Sequence, residues 1–308
     1  MPLPQFKYPA PAMSSAPQPT HPADRLLHAI DTRRAPVCVG LDPVLDRLPN
    51  AVAPDAEPIE RIRAFCFGVL RAVAEHVPCV KPQAACFERY RQNGRGVEVL
   101  NEIIAEAKRL GMEVILDAKR GDIGVTAEHY AAMAFGEAGE RGTADWITIN
   151  SYLGADGITP FLKPGRGAFA LVRTSNPGGD ALQAQALASG GTVADAVAAM
   201  VRELGESSIG DRGYSALGAV VGATRPEDAA RLREAMPRQL FLVPGYGAQG
   251  GGAKDVLSCF HEDGTGAVIT ASRSVIYAFD PNDEEWMKGI EGAARKMVEE
   301  IRAALKTL

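Results

Sequence analysis

Asp117, Lys119 and Asp122 follow the apolar run Val114-Ile115-Leu116 at spacings of two and three residues. Side chains alternate between the faces of a strand, so Asp117 and Lys119 share a face. A carboxylate and an ammonium on an inward face must be paired, because an isolated buried charge is too costly. A lone Asp-x-Lys is also compatible with a structural ion pair at a strand end. Here Arg120-Gly121-Asp122 follows at once, which puts four charged residues within six positions at a strand-to-helix junction. That density suits a reaction centre better than a scaffold. Adjacent carboxylates keep a lysine charged, and such a lysine can both face developing negative charge and act as a general acid.

Elements must carry these residues to one place. Strand-like apolar runs lie at 37–41, 79–83, 113–116, 145–150, 168–174, 218–221, 240–243 and 267–270. Helical patterns lie between them at 59–75, 97–110, 126–140, 192–204 and 226–235, and a last one at 285–305 closes the chain. Near-continuous apolar strands alternating with amphipathic segments indicate a parallel sheet with crossover helices. Eight such units predict an α/β fold of the (β/α)₈ TIM-barrel type. A doubly wound open sheet is the alternative, but Gly40-Leu41-Asp42-Pro43 offers no glycine-rich fingerprint after the first strand.

Composition narrows the function classes. The 308 residues, 46% of them hydrophobic, suffice for one large core. A net charge of -5 without a basic block gives no reason to expect nucleic acid or an anionic membrane surface. No apolar segment approaches the roughly 20 residues of a membrane span. Five cysteines, none in a C-x-x-C pair, sit in or beside apolar runs and read as reduced packing in a cytoplasmic protein. The histidines show no metal-ligand spacing, and no metal is expected. Residues 1–22 hold seven prolines and read as an irregular arm, leaving 23–308 for the barrel.

In such a barrel the site lies at the C-terminal ends of the strands. Read there, strand one ends in Asp42, strand two carries Lys81, strand three gives Asp117 and Lys119, and strand four ends in Asn150. Thr174-Ser175-Asn176-Pro177-Gly178-Gly179 follows strand five, and a glycine-rich loop with Gln249 follows strand seven. Strand eight runs into Ser272-Arg273-Ser274. Glycines let backbone N–H groups approach an anion, and Arg273 could add paired hydrogen bonds, so the last two loops read as a phosphate cradle. An ordinary mobile loop is the plainer reading of the glycines alone.

Asp117-x-Lys119-x-x-Asp122-Ile123, together with Lys81, resembles the signature of the orotidine 5'-phosphate decarboxylase family. The octapeptide Asp-Ala-Lys-Arg-Gly-Asp-Ile-Gly at 117–124, Val80-Lys81-Pro82-Gln83 and Thr174-Ser175-Asn176-Pro177 resemble its longer bacterial branch (type 2). The resemblance runs from Asp24 to the C-terminus. It implies cofactor-independent conversion of orotidine 5'-phosphate to UMP, the last step of de novo pyrimidine synthesis, by a homodimer. By the same resemblance Lys81, Asp117, Lys119 and Asp122 form the catalytic array, with Asp122 and Thr126 crossing into the neighbouring subunit's site. Asp42 is implied to bind the ribose hydroxyls, Ser175 the pyrimidine ring, and Gln249 and Arg273 the phosphate.

Two other readings stand beside this one. Sugar-phosphate synthases and decarboxylases of the same superfamily share a D-x-K-x-x-D core but use Mg²⁺; Lys81 on the second strand disfavours a divalent cation. A nucleotide-binding sensor without catalysis would be expected to lack Lys119 or Asp122, and both are present.

Overall fold

The computed structural model describes residues 20–136, 142–247 and 252–308. Most of the proline-rich arm therefore lies outside the described residues, as does Gln249. Among the described residues there are eight strands: β1 (Val37–Leu41), β2 (Cys79–Pro82), β3 (Glu113–Arg120), β4 (Trp146–Ile149), β5 (Gly167–Arg173), β6 (Leu217–Val221), β7 (Phe241–Val243) and β8 (Ala267–Ala271). Each pairs in parallel with the next, and β8 closes on β1 through Val37↔Ile269 and Cys38↔Thr270. This is the predicted (β/α)₈ barrel.

Alternation explains how strands buried on both faces hold two cores. Cys38, Cys79, Ile115, Trp146, Phe169, Leu240 and Val268 pack together in one cluster, while Val39, Val80, Val114, Ile147 and Ala168 join the larger cluster shared with the helices. Bulk on one strand is matched by glycine on the next. Trp146 stands in register with Gly167, and Phe169 with Gly218. A Cβ at Gly167 would come 2.2 Å from the Trp146 ring, and one at Gly218 2.6 Å from Phe169. The two rings stack with centroids 4.6 Å apart.

Six helices match the sequence pattern: Pro58–Val73, Arg95–Arg109, Gly124–Phe135, Val193–Gly205, Pro226–Ala235 and Trp286–Leu305. Proline at the first turn starts two of them. Thr192 caps another, donating its N–H to Asp195 Oδ2 at 2.8 Å and accepting the Asp195 N–H at 3.3 Å. The helix after β3 ends at Phe135, short of the expected 140, where Gly136 takes a φ of 56°.

Three features differ from the sequence expectation. Pro22–Arg33 is a helix that the periodicity reading omits. Its Ala23, Leu26 and Leu27 join the inner cluster, and Arg25 pairs with Glu113 at the start of β3 at 3.2 Å. It thus covers the N-terminal end of the barrel, opposite the mouth. The crossover from β4 to β5 contains only the 3₁₀ turns Ala155–Gly157 and Thr159–Phe161, and Gly154, Gly157 and Pro160 prevent a longer helix. Between β7 and β8 the described residues form only the turn Leu257–Cys259. All five cysteines are unbridged, with Cys86 half-buried and the others buried. Among the described residues, no helix is long and apolar enough to cross a membrane.

Candidate active site

At the C-terminal end of the barrel, Asp117 is 5% exposed and takes hydrogen bonds from three side chains. Lys81 Nζ donates to Oδ2 at 2.5 Å, and Lys119 Nζ donates to Oδ1 at 2.6 Å. Thr148 Oγ1 donates to Oδ1 at 2.9 Å. Burial pushes the Asp117 carboxyl pKa up, but the charges and hydrogen bonds of Lys81 and Lys119 together outweigh it and hold the group well below the usual carboxylate range. For Lys81, burial acts to lower the pKa; Asp117 and Asp42 more than offset it, and the net direction is upward. Both partners of the buried pair are therefore charged, and each supplies the compensation that burial demands of the other.

Lys119 reaches this carboxylate by a local departure from regular strand. The β3–β4 register shifts between Leu116 and Arg120, and Lys119 has a φ of 47°. A left-handed backbone costs a non-glycine residue about 1–2 kcal/mol. Thr148 on β4 supports it: its Oγ1 accepts the N–H groups of Ala118 at 3.1 Å and Lys119 at 3.0 Å. Simple alternation predicts a shared face for Asp117 and Lys119; the structure brings them together through a bulge. The side chain of Lys81 is 8% exposed and that of Lys119 48%, so Lys119 is the member of the pair open to the mouth.

Of the remaining sequence-predicted residues, Gln249 lies outside the described residues, and the others follow β1, β3, β5 and β8. Asp42 follows β1, and its Oδ1 is buried without a hydrogen-bond partner among the described residues, an acceptor with unused lone pairs. Ser175 follows β5, half-buried against the end of β6; a Cβ at Gly222 would come 2.9 Å from its backbone nitrogen. Arg273 begins a single helical turn after β8, exposed and without an ion pair among the described residues. Asp122 accepts the Ile123 N–H at 2.8 Å, and among the described residues it forms no ion pair with Lys119. Thr126 is exposed on the first turn of the following helix. The chain thus unites Lys81, Asp117 and Lys119 and leaves Asp122 apart.

Other motif residues have structural partners. Arg120 pairs with Glu88 and lies 5.4 Å from the Tyr130 ring centroid. Tyr246 donates its hydroxyl to Glu300 of the closing helix at 2.5 Å. Asn150 Oδ1 accepts the Tyr152 N–H at 2.9 Å in an Asx turn. Two contributors escape the sequence reading. Thr148 is one; its only signal is a hydroxyl on the same strand face as Trp146. Arg173, 3% exposed at the end of β5, is the other. It pairs with Asp180 at 2.6 Å and Asp228 at 2.9 Å, tying the Ser175 loop to the helix after β6.

The profile of the Orotidine 5'-phosphate decarboxylase / HUMPS family matches residues 35–285. The orotidine 5'-phosphate decarboxylase of Rhodopirellula baltica is 39% identical over 301 residues, covering 91% of this chain and 98% of that protein. That of Deinococcus radiodurans is 41% identical over 280 residues, covering 89% and 93%. The solved structure of Leishmania donovani OMP decarboxylase superposes with a TM-score of 0.72 at 32% identity, covering 91% of this chain and 98% of the other. With a matched profile over most of its length, relatives near 40% identity and the same barrel, the chain belongs to the orotidine 5'-phosphate decarboxylase / HUMPS family.

Proposed function

We infer that this chain is an orotidine 5'-phosphate decarboxylase: it converts orotidine 5'-phosphate to UMP and CO₂ in pyrimidine synthesis. The observation that carries the mechanism is the convergence of two lysines on one buried carboxylate, at 2.5 and 2.6 Å. When the bond between C6 and the carboxylate breaks, its electron pair remains on an sp² carbon with no conjugated sink. Without a cofactor, that charge must be met by fixed groups. The Lys119 ammonium faces the mouth and serves as countercharge; one of its N–H protons goes to C6 as CO₂ leaves, and solvent reprotonates the amine. Asp117, held ionised, faces the departing carboxylate and favours its release. Lys81 keeps Asp117 charged and oriented. Asp42 accepts hydrogen bonds from the ribose hydroxyls, Ser175 meets the pyrimidine, and Arg273 with Gln249 binds the phosphate. Contacts remote from C6 supply binding energy that can be used to assemble the site.

The functional unit in this reading is a homodimer in which Asp122 and Thr126 complete the neighbour's site. Supporting it, Asp122 makes no ion pair with Lys119 within the described residues of one chain. Large apolar side chains are also exposed beside it, among them Ile123 at 54%, Val125 at 70% and Tyr152 at 75%. Buried, unbridged cysteines fit a reducing cytoplasm.

Formation of UMP from orotidine 5'-phosphate, followed by absorbance with and without EDTA, tests the chemistry. Turnover insensitive to chelator is expected. Loss restored by Mg²⁺ would indicate the metal-dependent branch, and UMP binding without turnover a sensor. The shared site is tested by mixing Lys119→Ala and Asp122→Ala chains. One site of the heterodimer then lacks both defects, so free reassortment of equal amounts should restore roughly a quarter of wild-type sites, as a reciprocal two-fold contact requires. Inactive purified heterodimers would put Asp122 in its own chain's site.

A further inference from the structure

We propose that Thr148 is a positioning residue that sets both the backbone of Lys119 and the carboxylate of Asp117 for the reaction. Its side chain carries a single hydroxyl, the residue is 1% exposed, and the hydroxyl is fully used. It accepts two backbone N–H groups, from Ala118 at 3.1 Å and Lys119 at 3.0 Å, and donates to Asp117 Oδ1 at 2.9 Å. One donor and two acceptor sites are what a threonine hydroxyl has. The bulge between Leu116 and Arg120 displaces these N–H groups from their regular register with β4, and Thr148 replaces the missing partner. It also stabilises the φ of 47° that turns Lys119 towards the mouth.

The same Oδ1 that accepts from Thr148 accepts from Lys119 Nζ, so one hydroxyl fixes the lysine at its backbone and at the carboxylate its ammonium rests on. Thr148 and Lys81 act on opposite oxygens of Asp117 and so fix the orientation of its carboxylate. Among the described residues Thr148 makes no hydrogen bond to Arg273 or Asp42, the groups assigned to phosphate and ribose. Its removal should therefore affect turnover more than binding. This inference rests on the catalytic assignment of Lys119 made above.

Thr148→Val keeps the shape and removes the hydroxyl; Thr148→Ser keeps the hydroxyl and removes a methyl. The Val variant is expected to lose ~10²-fold in kcat, the scale of a misplaced catalytic group, with KM and the calorimetric Kd for UMP little changed. Ser should recover most of the loss, and amide exchange at Ala118 and Lys119 should be fast in the Val variant and protected in the Ser variant. Thr148→Cys, with a weak sulfur acceptor, should fall between them and replaces Val in the comparison if Val does not fold. Equal losses in Val and Ser would indicate packing and overturn the inference, as would a fall in UMP affinity matching the fall in kcat. A fully active Thr148→Val beside an inactive Lys119→Ala would overturn this inference alone. An active Lys119→Ala would overturn the catalytic assignment and this inference with it.

Discussion

The two sides of the barrel mouth are built on opposite principles. On β2, β3 and β4, Lys81, Asp117 and Thr148 are at most 7% exposed, and each polar atom has a defined partner. On the β7 and β8 side, Arg273 is exposed, and Gly245 and Gly247 take φ values of 105° and 73°. The difference follows from what each side meets. A group that must stabilise charge on a reacting carbon gains most when its dipoles and charges are fixed beforehand in a site shielded from water. A group that must capture a phosphate from solution has no need of such preorganisation. Glycine backbones and a solvated guanidinium can close on the anion when it arrives. On the proposed roles, the Lys81–Asp117–Thr148 cluster that holds Lys119 is thus fixed before substrate binds, and the phosphate side is set by binding.

The largest expected effect is on the fixed side. On the proposed mechanism Lys119→Ala removes the countercharge and the acid together while leaving Asp117 paired with Lys81 and Thr148, so the barrel should remain folded. Loss of a positioned acid alone is worth ~10²–10⁴-fold, and the electrostatic loss adds to it. A folded Lys119→Ala enzyme with near-normal kcat would remove the lysine from the mechanism. Next in size is Arg273→Ala. Deleting a charge-assisted contact to phosphate should weaken UMP binding by roughly 1.5–3 kcal/mol. Turnover of a substrate analogue without the phosphate should hardly change. Equal losses with and without the phosphate would mean that Arg273 acts through the fold, and the contrast between the two sides would fail.

The fixed side is also the more legible one in the sequence, for a physical reason. Lys81 and Asp117 are charged residues in or directly after runs that read as buried strand, burial forces such charges to pair, and Lys119 follows two positions on. Asp42, Ser175 and Arg273 are legible only through their places after strands one, five and eight. Thr148 is hidden because a β-branched residue in Trp146-Ile147-Thr148-Ile149 is ordinary strand composition. Its partners exist only because the neighbouring strand bulges. The helix Pro22–Arg33 is obscured by the proline-rich segment that leads into it. The crossover from β4 to β5 is short of helix because of Gly154, Gly157 and Pro160, a local effect that counting eight repeats overlooks. In the proposed shared site Asp122 acts on a second chain, and periodicity within one chain holds no record of that.

The smallest expected effect, a pH dependence, separates the two sides without altering the reacting groups. The folded-state pKa of Asp117 is depressed: burial opposes ionisation, and Lys81 and Lys119 outweigh it. Its contribution to stability is therefore fully present above the unfolded-state value near ~3.9 and is lost only as pH falls through the lower folded-state value. Lys81 is shifted upward, so it too stays charged across the neutral range. Neither group titrates near pH ~6, where the second proton of a phosphate monoester is lost. Any acid limb there should belong to the substrate's phosphate and to the side that binds it. In wild type, kcat should stay flat from about pH 5 to 7 while KM rises below about pH 6, since a monoanion gives Arg273 less charge to bind. In Arg273→Ala that rise in KM should be shallower, because the residue that distinguishes dianion from monoanion is gone. An acid limb in kcat itself with an apparent pKa near ~6, unchanged by Arg273→Ala, would mean that Asp117 must lose a proton there, against its depressed pKa, and the fixed side would not be fixed in charge.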